Sequence, residues 1–203
     1  MVDAALIQQC GDPSLKPAIM ERFIARAGSS DPLAVTVRSG DRVILVPKPA
    51  TPDEAMELIR HYVGNAAVVR VGITQFPAGL GVKGAAEIKP DLVDSCANIR
   101  MGTTLFAKVY RIVTKWYGNP VEEAFEDAII AWQTGYFEGT AVFRAADPGE
   151  VKLAMPKEEE TASVPGEDTS GQRRDSARTD VDAGNDPNKA AMRVDLSGIG
   201  GTK

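Results

Sequence analysis

A hydrolytic or acyl-transfer site needs a positioned proton donor, or a nucleophile with a base at hand, so the carboxylates, cysteines and the histidine come first. Asp31 stands before Pro32 and suits a turn, while Glu54 and Glu57 follow Thr51-Pro52 and suit the solvated face of a helix. Cys10 and Cys96 have no neighbouring base and no metal-ligand spacing, and His61, the single histidine, has no partner nearby in sequence. Gly79, Gly81 and Gly84 lack the spacing of a Walker or dinucleotide-binding loop. The residues alone therefore imply neither a metal nor a cofactor.

The elements that would position these residues can be read from periodicity. Ala4 to Cys10 reads as a short helix or turn, and Leu15 to Ala27 as a helix with Ile19, Phe23 and Ile24 on one face and Gly28 as its stop. LAVTV and RVILV alternate around Ser39-Gly40-Asp41, which predicts a small β-hairpin. Thr51, Pro52 and Glu54 form a helix start with a capping box, and that helix should run to about Val63. Ala66 to Val71 is a short apolar run, read as extended, and a glycine-rich loop follows. A long helix is expected from about Cys96 to Trp116, ended by Gly118-Asn119-Pro120, and a last one from about Val121 to Thr134. The expected class is α+β and mostly α.

The chain has 203 residues, 43% of them hydrophobic, enough for one medium domain and a tail. A net charge of -5 argues against a general nucleic-acid binder, which needs a basic face to displace counterions. No stretch is long and apolar enough for a membrane span, and the N-terminus MVDAALIQQC has neither the basic nor the apolar region of a secretory signal. Composition changes near Asp147. From Pro148 to about Lys189 the chain is rich in Glu, Asp, Pro, Gly, Ser, Thr and Arg, so residues 1–145 are read as the domain and 146–203 as a disordered tail. The tail regains Met192, Val194, Leu196 and Ile199, read as a frayed end or as a short docking motif at 190–201.

The segment VGITQFPAGLGVKGAAEIKPDLVDSCANIRMG, with AWQTG thirty residues further on, has an order that resembles the lytic transglycosylases of type IV secretion systems. Val71, Gly72, Ile73, Gln75 and Phe76 match a first block, with Phe in place of Ile. Asp94, Cys96, Asn98, Ile99, Arg100 and Gly102 match a second, with Ser95 in place of Pro. Trp132, Gln133, Thr134 and Gly135 match a third, with Trp-Gln in place of Tyr-Asn. The upstream half follows the same order, so the resemblance covers about residues 5–140. It implies a lysozyme-like helical domain that handles peptidoglycan. The whole chain, with its acidic tail and terminal RVDLSGIG, is also similar to the TraH family of conjugal transfer.

The departure from the transglycosylase pattern concerns its chemistry. In that family a Glu ends the helix before the Asp-Pro-Leu-Ala segment and is the general acid and base. Here the position falls on Ala27 or Gly28, depending on a one-residue gap, and neither can donate a proton. General acid–base assistance is worth roughly 10²–10⁴-fold. Glu21 lies about 9–10 Å earlier along the helix at ~1.5 Å per residue, and Asp31 lies beyond the helix end; these are the candidate substitute acids. A glycan- or partner-binding cleft would use Gln75, Phe76, Asn98, Trp132 and Gln133. Trp132 fits core packing equally well, Asn98 is read more readily as a helix N-cap, and Gln75 has the best claim to the cleft. The resemblance also implies a Cys10–Cys96 disulfide, hence an oxidising compartment, whereas the missing signal points to the cytoplasm.

Three readings follow: a non-cleaving accessory of plasmid transfer that binds peptidoglycan or a conjugation component, an active lytic transglycosylase with a displaced carboxylate, and a cytoplasmic protein-binding adaptor.

Overall fold

The computed structural model describes residues 2–155. The expected tail beyond that point, with its docking motif at 190–201, lies outside the described residues. Asp3 caps α1 (Ala4–Cys10) by accepting from the Ala5 amide. Helix α2 (Pro17–Ala27) starts on Pro17, whose missing N–H costs nothing at a first turn. Helix α3 (Pro52–Gly64) carries the expected cap: Thr51 accepts from the Glu54 amide, and the Glu54 carboxylate reaches back to the amide of Ala50 at 2.7 Å. Helix α4 (Ser95–Tyr117) spans 23 residues, with Asp94 as N-cap, and α5 (Glu122–Thr134) follows it. Glycines in left-handed conformation, Gly118 (φ 79°) and Gly135 (φ 84°), end both.

The expected hairpin is part of something larger. Strands β1 (Val35–Ser39), β2 (Arg42–Ile44), β3 (Val68–Val71) and β4 (Phe76–Pro77) form one antiparallel sheet in the order β2-β1-β3-β4. Val35 lies opposite Val71 and Val37 opposite Val69, so the alternate valines of β1 and β3 face the same way. They meet Ala55, Met56 and Ile59 of α3. The sequence read Ala66 to Val71 as extended but gave it no place beside the hairpin, because β3 buries Val69, Arg70 and Val71 in a row, which erases its alternation. A second, two-stranded hairpin, β5 (Tyr136–Phe137) with β6 (Thr140–Ala141), caps the end of α5.

The four helices α1, α2, α4 and α5 enclose a separate aromatic core. Phe23 and Phe106 stack with centroids 4.0 Å apart, and Trp132 meets Phe23 edge-on at 5.0 Å. Phe125 and Tyr110 close the cluster. The packed chain continues past the expected edge at residue 145. Arg111 pairs with Asp147, the Tyr110 hydroxyl donates to the Ala154 carbonyl at 2.9 Å, and Leu153 and Met155 lie against the aromatic core.

Candidate functional site

The turn after β3 is where the three sequence blocks meet. Gly72 has φ 73° and Gln75 φ 53°, so the chain reverses sharply from β3 into β4. Asn98, in the first turn of α4, reaches into this reversal. Its carbonyl oxygen accepts from the Thr74 amide and the Thr74 hydroxyl, each at 2.9 Å. Its amide nitrogen donates to the carbonyls of Val71 (3.1 Å) and Leu92 (2.9 Å). A Cβ on Gly72 would stand 2.5 Å from that amide nitrogen, so residue 72 must be glycine for space as well as for φ. Thr74 rests on Gly102 of α4, where an added Cβ would lie 2.1 Å from its hydroxyl. The Trp132 indole N–H donates to the Thr74 carbonyl at 3.1 Å. Thr74 is thus the knot between blocks, although it is not among the residues that carry the resemblance.

The end of α2 joins the same knot. The Ser29 amide donates to the Ile73 carbonyl at 2.8 Å. Gly28 is extended (φ -97°, ψ -170°), and a Cβ there would stand 2.4 Å from that same carbonyl oxygen. No side chain fits at residue 28 without moving the turn. Ala27, the alternative position for the acid, is half-buried against the aromatic core.

The two substitute acids are engaged elsewhere. Glu21 accepts from the Gln8 side-chain amide at 3.2 Å. Asp31 pairs with Lys48 at 2.9 Å and accepts from the Leu33 amide, and the lysine beside it holds its carboxyl below the ordinary carboxylate range. It is therefore ionised at neutral pH and has no proton to give.

The five expected cleft residues divide into three groups. Asn98 and Trp132 are buried struts, each 1% exposed, and the N-cap role expected for Asn98 belongs to Asp94. Gln75 and Gln133 reach the surface on either side of a residue the sequence reading missed, Arg70. Gln75 is held at 2.8 Å from the Thr36 hydroxyl. Phe76 turns the other way, toward a groove along α4 with Met101, Leu105 and Lys108. Arg70 is 8% exposed and donates to the carbonyls of Trp132 (2.6 Å), Gln133 (3.0 Å) and Gln75 (3.4 Å), while its guanidinium lies 5.2 Å from the centre of the Phe143 ring. Burial, with Arg38 nearby, pulls its pKa down to about 10, which leaves it charged at neutral pH. An arginine inside a run of valines was the available signal for it.

Cys10 and Cys96 form a disulfide with Cα atoms 5.1 Å apart, tying the end of α1 to the first turn of α4. Among the described residues no cluster of three or more His, Cys, Asp or Glu could hold a metal ion, and no helix is long and apolar enough to cross a membrane.

The TraH_2 family model matches residues 1–201. The chain belongs to the TraH_2 family. This TraH_2 chain is also 56% identical, over the full length of both sequences, to the uncharacterized protein y4dP of Sinorhizobium fredii (strain NBRC 101917 / NGR234). No solved structure matches it. Family membership agrees with the conjugal-transfer resemblance in the sequence and associates the chain with that process.

Proposed function

We propose that this TraH_2 protein serves conjugal transfer as a non-cleaving binding protein, with a lysozyme-like domain that holds peptidoglycan through the surface around Gln75 and Gln133. The observation that carries this reading is the fit of Gly28 against the Ile73 carbonyl, at the end of the helix where the transglycosylases keep their glutamate. The matching blocks converge on this corner, which supports a retained scaffold, and at Gly28 the space for an acid is filled by backbone. Side-chain amides suit the hydroxyl and N-acetyl groups of a glycan: Gln133 offers donor and acceptor, while Gln75, held by the Thr36 hydroxyl and the Gly72 carbonyl, has one N–H and one lone pair left to present. A disulfide persists in an oxidising compartment, which supports a position in the cell envelope.

The active-enzyme reading would need Glu21 or Asp31 as acid, and the Lys48 pairing of Asp31 speaks against it. Incubation with purified sacculi tests both. Cosedimentation with no soluble anhydro-muropeptides is the expected result, weakened by Gln75→Ala combined with Gln133→Ala. Product release abolished by Glu21→Gln or Asp31→Asn would restore the enzyme, and failure to cosediment would remove the glycan.

A further inference from the structure

A groove of about 500 Å³ runs between β3, the 79–84 loop and the β5–β6 hairpin. Arg70, Lys83 and Arg144 line it, and no carboxylate does. Arg70 hydrogen-bonds only to carbonyl oxygens, and its charge has no carboxylate counter-ion among the described residues. A buried cation in that state is costly, and a carboxylate arriving from outside would offset the cost by its charge and by accepting from one of the N–H groups that the three carbonyls leave over. Apart from Thr134 and the Tyr136 hydroxyl, the other lining side chains are apolar. Val68 is 54% exposed and Tyr136 62% exposed, with Leu80 and Phe143 beside them. Val68 and Arg70 are two residues apart on one strand, so their side chains share a face about 7 Å apart. An apolar site followed by a cationic one at that pitch is the complement of an extended chain.

We propose that this groove docks an extended protein segment carrying an apolar side chain and a carboxylate two residues apart. A phosphodiester strand would answer the charge but not the exposed Val68 and Tyr136. The proposal goes beyond the glycan reading and does not depend on it.

The test uses the full-length chain and fluorescence anisotropy with labelled Ac-VSESVSE-NH2, whose alternate residues repeat that pattern. Ac-VSKSVSK-NH2 is the control and a dT oligonucleotide the competitor. Saturable binding of the acidic peptide alone is expected, weakened about tenfold or more by Lys83→Glu combined with Arg144→Glu. Both residues are exposed, so the variant should fold, and circular dichroism checks it. Three results would overturn the proposal: no saturation by about 1 mM, equal binding of the lysine peptide, or indifference to the double reversal. Tighter binding of the oligonucleotide would replace it with a nucleic-acid site. Sacculus binding by the same variant separates the two readings: unchanged cosedimentation leaves the protein segment as occupant, whereas a loss parallel to that of the peptide makes the groove a wall-peptide subsite and overturns it.

Discussion

The two halves of the domain are held by different means. The helical half has a ring-stacked aromatic core and a disulfide from α1 to α4. The sheet half, β1 to β4 with α3, has a core of Val, Ile, Ala, Met and Leu without a buried aromatic ring. The candidate site lies on neither core but at their junction, where Thr74, Asn98 and Arg70 exchange hydrogen bonds across the boundary. A binding surface at such a place would be constrained by both halves.

The largest expected effect tests whether the staple belongs to one half. Replacing Cys10 and Cys96 together by serine should lower stability by about 4 kcal/mol, the cost of freeing a long loop in the unfolded chain. Hydrogen exchange should then quicken in α1 first, while the β1–β3 amides stay protected. Equal loss in both halves would mean that they unfold as one unit. Next comes the junction itself. Asn98→Ala leaves the Thr74 amide and the carbonyls of Val71 and Leu92 buried without their partner, at a cost of about 3 kcal/mol by urea unfolding, and here both halves should weaken together. A smaller change, Ile59→Val, removes one methylene from the sheet core and should cost about 1 kcal/mol.

Acid should distinguish the halves most gently. Burial raises the Asp12 carboxyl, but hydrogen bonds from Ser14 and Thr104 outweigh it and leave its pKa lowered. Arg22 lowers Glu122, and Arg111 lowers Asp147. Groups whose folded pKa is depressed contribute stability that is complete above their ordinary values and lost as pH falls through the folded ones. All three serve the helical half, against Asp31 beside the sheet, so the helical half should lose more stability, with its urea midpoint dropping between about pH 5 and pH 3. The combined Asp12→Asn and Asp147→Asn variant should flatten that drop, and an unaltered slope would assign the acid sensitivity elsewhere.

Much of this was legible in the residues. Gly28, the Thr51–Glu54 cap and Gly118 marked helix ends because each has a local physical cause. The pairing of β3 with β1 was hidden by a strand buried on both faces, and long-range partners leave no local trace. The site was half-visible: Gln75 and the Ala27–Gly28 end could be found from the blocks, but Thr74 acts through its main chain and a small hydroxyl, which no motif advertises. Arg70 could have been suspected, since an arginine among valines must find acceptors or water.

The contact at Gly28 sets a limit on redesign. Any acid introduced at that residue would push a Cβ into the oxygen of residue 73, which cannot retreat while Asn98 and Trp132 hold its neighbour. An engineer would have to rebuild the whole reversal, or graft the acid one position earlier, in place of Ala27. The bonds that make this corner rigid are also what would resist such rebuilding.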